Sequence, residues 1–456
     1  MDWFAYVVRW LIAPLWAAYE RSPYLRHYRT VLRTQWDSPA VIRARQQAAL
    51  AGIVRHAYKM APFWRERLVR SGISSDGNVS FDSLRAVPLL TKDDLRRHGS
   101  HMLSSDVQRS ELIRRSTSGS TGTPVEVFAH DSRQQWTRAC VLRSDEWSGW
   151  RLGERMGALW GNPEYLKHGW RGRVRNALLE RITYLDTLKM DMRAMAKFAA
   201  RLRRRPPSLL FGHAHSLYLF AQFLKARAEA DIRPRGIISS AMVLHDWERR
   251  TIEEVFRCAV TNRYGCEEVG LIACQCELHE ALHINADCVY VEVLRSDGTA
   301  AAPDEPGMIV VTDLVNRAMP IIRYQVGDMG VLSDRQCPCG RGLPLLEKVE
   351  GRIADYVVTP RGELISGISL TENFAVMVPG LAQLQIVQEE VDRFVFRIVK
   401  APDFGQQSLE TIRALVAERF GPGVRHECDF VDRIPQEPSG KYRFCISKVQ
   451  KHFLSV

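Results

Sequence analysis

"RRSTSGSTGTP", residues 114–124, decides how the rest of the chain is read. Positions 116–123 contain only Ser, Thr and Gly and Pro124 closes the run, so the stretch offers no apolar side chain to a core. Upstream "SELIRR" has the pattern of a strand entering, and downstream "PVEVFAH" alternates like a strand leaving. The spacing therefore predicts a loop between two strands. Glycine lets a backbone approach a ligand closely, and a turn rich in N–H and hydroxyl groups is what a polyphosphate needs. The same composition also makes flexible linkers, so on composition alone both readings stand. A Walker-type loop is excluded, because no Gly-Lys-Ser/Thr follows at the required spacing.

A chain of 456 residues with 46% hydrophobic and 25% charged residues is long enough for several folded domains and carries no large disordered tract. Its net charge of +11 suits anionic partners such as nucleotides, CoA, nucleic acid or an acidic membrane surface. Nucleic acid is the poorest of these, since the basic residues form no platform interleaved with aromatics and the Cys/His spacing fits no helix-in-groove finger. A serine hydrolase is equally poor, as no Gly-x-Ser-x-Gly elbow occurs. The opening "MDWFAYVVRWLIAPLWAAYERS" is apolar, but Asp2, Arg9 and Pro14 interrupt it. Its unbroken part, 10–19, is shorter than the roughly 20 residues that cross a bilayer, and no basic segment precedes it as in a signal peptide. It predicts an amphipathic helix packed on the domain, with peripheral membrane contact left open and a cytoplasmic location expected.

Apolar spacing predicts helices in "AVIRARQQAALAGIVRHAYKMAPFWRERL", broken near Pro62, in "RAMAKFAARLRRRPP" and in "SLYLFAQFLKARAEAD". Short buried strands follow, "RGIISSAMVL" and "CAVTNRYG", and this alternation argues for an α/β fold. Beyond them "CVYVEVL", "GMIVVTDL" and "PIIRYQVGDMGVL" are β-rich. From Gly351 the pattern describes a smaller α+β unit. The expected organisation is an N-terminal helical extension over 1–34, a large α/β domain over 35–350 and a small α+β domain over 351–456.

Five motifs carry a resemblance. "TSGSTGTP" resembles the phosphate-binding loop of adenylate-forming enzymes, and "NRYGCEEVG", "IIRYQVGD", "EGRIAD" and "PQEPSGKYRF" resemble that superfamily's further motifs, in its order, over 116–443. "AYKMAPFWRERL", "VPLLTKDDLRRHG", "CQCELHEALHINAD" and "CPCGRG" are similar to its phenylacetate-CoA ligase and CapK-like branch. The likeness covers the chain from about residue 35. It implies a large N-terminal domain with a small mobile C-terminal lid. It also implies ATP-dependent activation of a small carboxylic acid as an acyl-adenylate, with release of pyrophosphate. Transfer to CoA then follows, or transfer to another acceptor such as a cofactor or saccharide hydroxyl. Relatives are often dimers, so a homodimer is an expectation.

Residue by residue, the resemblance implies that Ser116, Thr117, Ser118, Gly119, Ser120, Thr121, Gly122 and Thr123 cradle the ATP phosphates, with Thr117 among the catalytic groups. Tyr264 and Gly265 lie against the adenine; an aromatic face with a polar edge suits that base. Glu268 holds Mg²⁺, a hard cation that takes carboxylate oxygens. Asp328 accepts the ribose hydroxyls, and Arg352 donates to the same region. Lys441 bridges the carboxylate and the α-phosphate, offsetting the repulsion between two anions. Trp160, His213 and Ala241 fall where relatives line the acid pocket, though core packing explains Trp160 and His213 equally well. Two positions depart from the pattern: Glu267 replaces a hydroxyl residue before the motif glutamate, and Ala354 replaces an acidic residue at the hinge.

Ten cysteines in a chain this long do not make a disulfide scaffold, but six of them lie between 266 and 339. Three thiolates and an imidazole can close a tetrahedral Zn²⁺ site. Matching relatives that carry one selects Cys276, His283, Cys337 and Cys339, with Cys274 and His279 as substitutes and metal-free buried thiols as the alternative. Such a zinc would be structural.

Overall fold

The structure, a computed structural model, describes residues 2–75, 79–117, 125–160, 169–187, 190–229, 231–352, 356–360, 364–366, 370, 374, 377–421, 423–435, 443 and 445–449. Strands β1 (Ile113–Thr117) and β2 (Val125–Ala129) pair antiparallel with Thr117 opposite Val125, so the Ser/Thr/Gly segment joins the two arms of a hairpin. Residues 118–124 themselves lie outside the described part.

The chain then builds one sheet of eleven strands among the described residues. Its parallel half comprises β3 (Met156–Trp160), β4 (Ile182–Asp186), β5 (Leu209–His213), β6 (Gly236–Ser240) and β7 (Val260–Cys266). Its antiparallel half comprises β8 (Gly270–Gln275), β9 (Leu282–Ile284), β10 (Val289–Leu294), β11 (Pro306–Asp313), β12 (Tyr324–Ser333) and β13 (Leu345–Arg352). The order across the sheet is β10-β11-β12-β13-β9-β8-β7-β6-β5-β3-β4. Parallel strands need crossovers, and helices Met192–Arg204, Ala214–Ala226 and Asp246–Phe256 supply them. The first has an Asp191 N-cap whose side chain accepts from the Ala194 N–H, and it ends before Pro206. Phe198, Leu202, Phe220 and Phe256 from these helices close over Leu159, Leu210 and Ile237 of the strands.

The other face is covered by Pro39–Met60, Pro62–Arg70 and Asp131–Trp147. Ser38 caps the first of these and Pro39 starts it; it stops at Met60, and Pro62 opens the next helix. Trp64 is fully buried there and its indole N–H donates to Pro320 O at 2.7 Å. Replacing it by Ala removes about 3–5 kcal/mol of packing. Val8, Ala13, Tyr24, Tyr28 and Val31 belong to this same core, so the first 34 residues are packed into the large unit.

Past β13 a second, separate core forms around Phe394, Phe396, Ile412, Leu415 and Phe420. It lies between helix Gln406–Phe420 and a four-stranded sheet of β16 (Leu381–Glu390), β17 (Arg393–Lys400), β18 (Arg425–Phe430) and β19 (Cys445–Ser447). The two-stranded pair β14 (Tyr356–Val358) and β15 (Leu364–Ser366) precedes it. Large α/β and small α+β units are thus present as expected. Gly351 and Arg352 still pair with Met329 and Asp328, so they are the last residues of the large sheet.

Candidate active site

In open α/β sheets ligands gather outside the carboxyl ends of the parallel strands. Trp160, His213 and Tyr264 sit at the ends of β3, β5 and β7, and Ala241 follows β6. The turn after Tyr264 is tight. A Cβ on Gly265 would come within 2.5 Å of Gly270 O, so only glycine lets β7 fold back onto β8 there. That turn presents Glu267 to solvent and buries Glu268.

Tyr264 Oη donates to Asp328 Oδ2 at 2.6 Å, joining the residues expected to hold base and ribose. Asp328 faces Arg352 across the β12–β13 ladder. The buried Tyr324 donates to Glu268 Oε1 at 2.8 Å. Burial, and then the Glu268 charge, push the Tyr324 phenol far above its ordinary range, so it stays a donor. The same two causes raise the neighbouring Cys266 thiol. Arg133, itself buried, donates to Glu268 O and to Asp313 Oδ2, both at 3.0 Å, and so fixes the glutamate's backbone. The acceptor-only carboxylate of Glu268, held by one hydroxyl, has the donor chemistry of a Mg²⁺ ligand.

Nothing in the sequence singled out Arg133, and the motif that contains Tyr324 assigned it no role; only their neighbours in space reveal what they do. Arg115 belongs with them. From the last turn of β1 before the hydroxyl-rich segment its Nη1 reaches Glu267 Oε2 at 3.3 Å. Arg323, by contrast, sits within a motif but turns away: it pairs with Glu292 and donates to Arg85 O and Val87 O at 2.7 Å, tying β12 to the N-terminal segment.

At the carboxyl ends of β3 and β5 Trp160 stacks on Phe211 with ring centroids 4.9 Å apart, and lies tilted against His213 at 4.1 Å. Ala241 adopts φ 65°, an uncommon backbone state for a residue with a Cβ and one that clusters at functional sites. One turn further on, the buried His215 Nδ1 lies 2.8 Å from Glu248 Oε1, while its Nε2 lies 3.5 Å from Gln383 Nε2 of the small unit.

Across the sheet, Cys276, His283, Cys337 and Cys339 present ligand atoms that all lie within 4.8 Å of one another. Cys276 Sγ is 3.8 Å from Cys337 Sγ, and Cys339 Sγ is 3.3 Å from His283 Nε2. Two sulfurs at 2.3 Å from a tetrahedral ion stand about 3.8 Å apart, so the set fits Zn²⁺. Burial and then the Arg341 charge lower His283 to about 4, leaving its imidazole neutral and able to ligate. Burial opposes the Cys339 thiolate, but the N–H and guanidinium of Arg341 outweigh it and lower its pKa. Burial raises Cys276 and Cys337. Arg341 is held in turn by Glu277, Gln35 and the faces of Trp36 and Trp147.

Comparison with known proteins agrees with this arrangement. Residues 357–448 match the family model of the CapK C-terminal domain. Protein CapK of Staphylococcus aureus is 22% identical over 408 residues, 86% of each chain. A phenylacetate-coenzyme A ligase of Thermus thermophilus is 26% identical over 332 residues, 70% of this chain and 72% of its own. The crystal structure of 2-hydroxyisobutyryl-CoA ligase in the postadenylation state superposes with a TM-score of 0.71 at 19% identity, covering 89% of both chains. Over most of its length the chain is thus similar to CapK and to phenylacetate-CoA ligases, and it shares the fold of 2-hydroxyisobutyryl-CoA ligase.

Of the residues expected at the site, the fold brings together Tyr264, Glu268, Asp328 and the backbone of Arg352, while the side chains of Ser116, Thr117 and Arg352, all of 118–124, Ala354 and Lys441 lie outside the described residues. The departure at Glu267 comes with a partner, Arg115, whose guanidinium balances the added charge. Of the two substitute ligands, Cys274 is buried beside Arg263, and His279 lies with Arg249 and Glu253; neither belongs to the metal cluster. Cys288 pairs with Cys140 at 3.6 Å, so the crowding of cysteines has several local causes.

Proposed function

We propose that this protein joins a small carboxylic acid to the AMP moiety of ATP, releasing pyrophosphate, and then passes the acyl group to the thiol of CoA. The observation that carries the reading is the convergence of Tyr264, Glu268 and Asp328, separated by up to 64 residues, beside the β1–β2 hairpin, whose Arg115 reaches Glu267. Tyr264 and Asp328 bond each other at 2.6 Å and exchange that bond for adenine and ribose contacts when the nucleotide enters. Arg115 balances Glu267, keeping the entry to the phosphate segment free of uncompensated negative charge. Glu268, oriented by Tyr324 and Arg133, holds Mg²⁺, which supplies charge neutralisation on the phosphates. Lys441 carries the ammonium that draws carboxylate and α-phosphate together. Trp160, Phe211 and His213 give the acid a flat aromatic wall. Cys276, His283, Cys337 and Cys339 hold a structural Zn²⁺ that ties β8, β9 and the 337–342 turn. Two domains, a large one that takes in the N-terminal helices and ends its sheet at Arg352 and a small one beyond it, are supported by the two separate cores.

A second reading has its own support. The CapK protein aligns over 86% of this chain and the C-terminal unit matches the CapK model, whereas the phenylacetate-CoA ligase of Thermus thermophilus aligns over 70%. The unit expected to present the acceptor thus resembles CapK, a relative whose name carries no CoA, and an acceptor such as a cofactor or saccharide hydroxyl is the second reading. Acid-dependent ATP–pyrophosphate exchange over aryl, fatty and sugar acids tests the first step, and CoA dependence of net turnover separates the acceptors. No exchange with any acid, from folded protein that binds ATP, overturns the adenylation reading.

A further inference from the structure

The first nineteen residues form contiguous helical segments Trp3–Val7, Val8–Ile12 and Ala13–Tyr19. The inner face is small and buried: Ala5, Val8, Ala13 and Ala17. It seats against Gly153, where φ is +93° and a Cβ would come within 2.6 Å of Ala5 O. The outer face is large and bare. Trp3 and Trp10 are each 71% exposed and Tyr19 is 85% exposed, with Tyr6, Leu11 and Leu15 between them. The few charged side chains at its borders are engaged within the protein. Asp2 pairs with Arg181, Arg9 Nε donates to Leu152 O at 3.0 Å, and Glu20 accepts from Trp16 and Arg175.

A second helical pair, Gly169–Arg175 and Asn176–Glu180, packs beside it through Val8–Ile12 and extends the surface with Trp170, also 71% exposed, Val174 and Leu178. A large contiguous apolar face of this kind marks an interaction site. Its surroundings say with what. Among the first 34 residues five arginines stand against Asp2 and Glu20, both already paired. Arg21, Arg26, Arg29 and Arg33 are exposed, as are Arg171 and Arg173 on the second pair. A cleft of about 310 Å³ opens between the apolar face and helix Tyr24–Thr34, lined by Arg9, Trp10, Pro14, Leu25, Arg29 and Arg151. One wall is apolar; the other carries Arg9, Arg29 and Arg151 together with Glu146, whose carboxylate accepts from Tyr28.

Exposed Trp and Tyr with aliphatic residues on one face, bordered by arginines, is the composition of a helix lying in the headgroup region of an anionic bilayer. At 1.5 Å per residue the segment is about 26 Å long, and no described helix is long and apolar enough to cross a membrane, so it lies on the surface. We propose that the faces of 3–19 and 169–180 together dock this protein on an anionic phospholipid surface, with the cleft beside Trp10 and Arg29 receiving a phosphate headgroup.

The test uses the full chain with vesicles of phosphatidylcholine alone and with added phosphatidylglycerol, followed by flotation, for wild type and for the Trp3→Ser, Trp10→Ser, Trp170→Ser triple variant. These three indoles are exposed, so thermal melting of the variant should match wild type; a second variant, Arg29→Glu with Arg171→Glu, probes charge alone. Expected are wild-type flotation with the anionic vesicles, at least about tenfold weaker binding by the triple variant, and loss of the phosphatidylglycerol preference in the charge variant. Absence of flotation, or equal flotation of wild type and triple variant, overturns the proposal. So does a wild-type dimer that the triple variant disperses without any lipid binding, which would make a second copy the occupant.

Discussion

The nucleotide edge and the cysteine corner occupy one sheet and solve opposite problems. At the proposed nucleotide edge three described groups each have a partner in the protein: Tyr264 with Asp328, Glu268 with Tyr324, Glu267 with Arg115. These bonds resemble what a nucleotide would offer, so a ligand can displace them and leave again at little net cost. At the cysteine corner the four groups face one another, and two of the three thiols have raised pKa values because burial disfavours their anions. A cation of tetrahedral preference would satisfy that set, and metal bound there would contribute folding free energy. One region is built for exchange and the other for retention.

The largest effect expected at the exchanging edge comes from Lys441→Ala. Losing the cation between carboxylate and α-phosphate should lower pyrophosphate exchange by about 10²–10³-fold, as removal of a single preorganised donor does elsewhere, with the fold and ATP binding retained. Equal losses of exchange and ATP binding would remove the distinction, since the lysine would then be holding nucleotide rather than steering reaction. At the retaining corner the corresponding change is Cys337→Ser. It should remove bound zinc, measured by elemental analysis, and lower the melting temperature while wild type resists mild chelation. A wild-type protein purified without zinc would break the comparison.

The cysteine corner also has a pH signature of its own. The folded, metal-free chain holds His283 near 4 against an ordinary value of 6.5. Between those values the unfolded chain binds a proton that the folded chain does not, so stability falls as pH drops through that window and is fully present above it. The difference amounts to at most about 3 kcal/mol. Urea midpoints in chelator at pH 7 and at mildly acid pH should show this loss for wild type and a flatter response for His283→Asn. An unchanged slope would place the imidazole in solvent.

Much of this was legible in the residues because the chemistry is local to short motifs. The hydroxyl-rich run required a turn whatever its function, and it joins two strands; "CPCGRG" brought two thiols together by spacing alone. Periodicity found helices Met192–Arg204 and Ala214–Ala226 because each buries one stripe of apolar residues on the sheet. What escaped the sequence is long-range. Arg133 lies 135 residues from the glutamate carbonyl it holds, and nothing in "DSRQQWTR" distinguishes it from a solvated helix arginine. The expected N-terminal extension failed to show its role in the core for the same reason: Val8 packs where Gly153 leaves room, and no pattern within 1–34 encodes that gap.

The smallest effect is the most discriminating, because Glu267 is where this chain leaves its relatives' pattern. Its side chain is 55% exposed and that of Arg115 is 32% exposed, so the pair adds at most about 0.5 kcal/mol to stability. Its consequence should fall on the nucleotide instead. Arg115→Ala leaves an uncompensated carboxylate beside the phosphate segment and should raise KM for ATP several-fold with kcat little changed, the pattern of lost uniform binding. Glu267→Thr removes the charge and restores a hydroxyl, so it should leave KM unchanged or lower. The double variant should then recover most of what Arg115→Ala loses, because the arginine no longer has a charge to balance. Additive effects would mean that Arg115 contacts the phosphates directly. The exchanging edge would then hold one cation with no protein partner to return to, and in that respect it would resemble the cysteine corner.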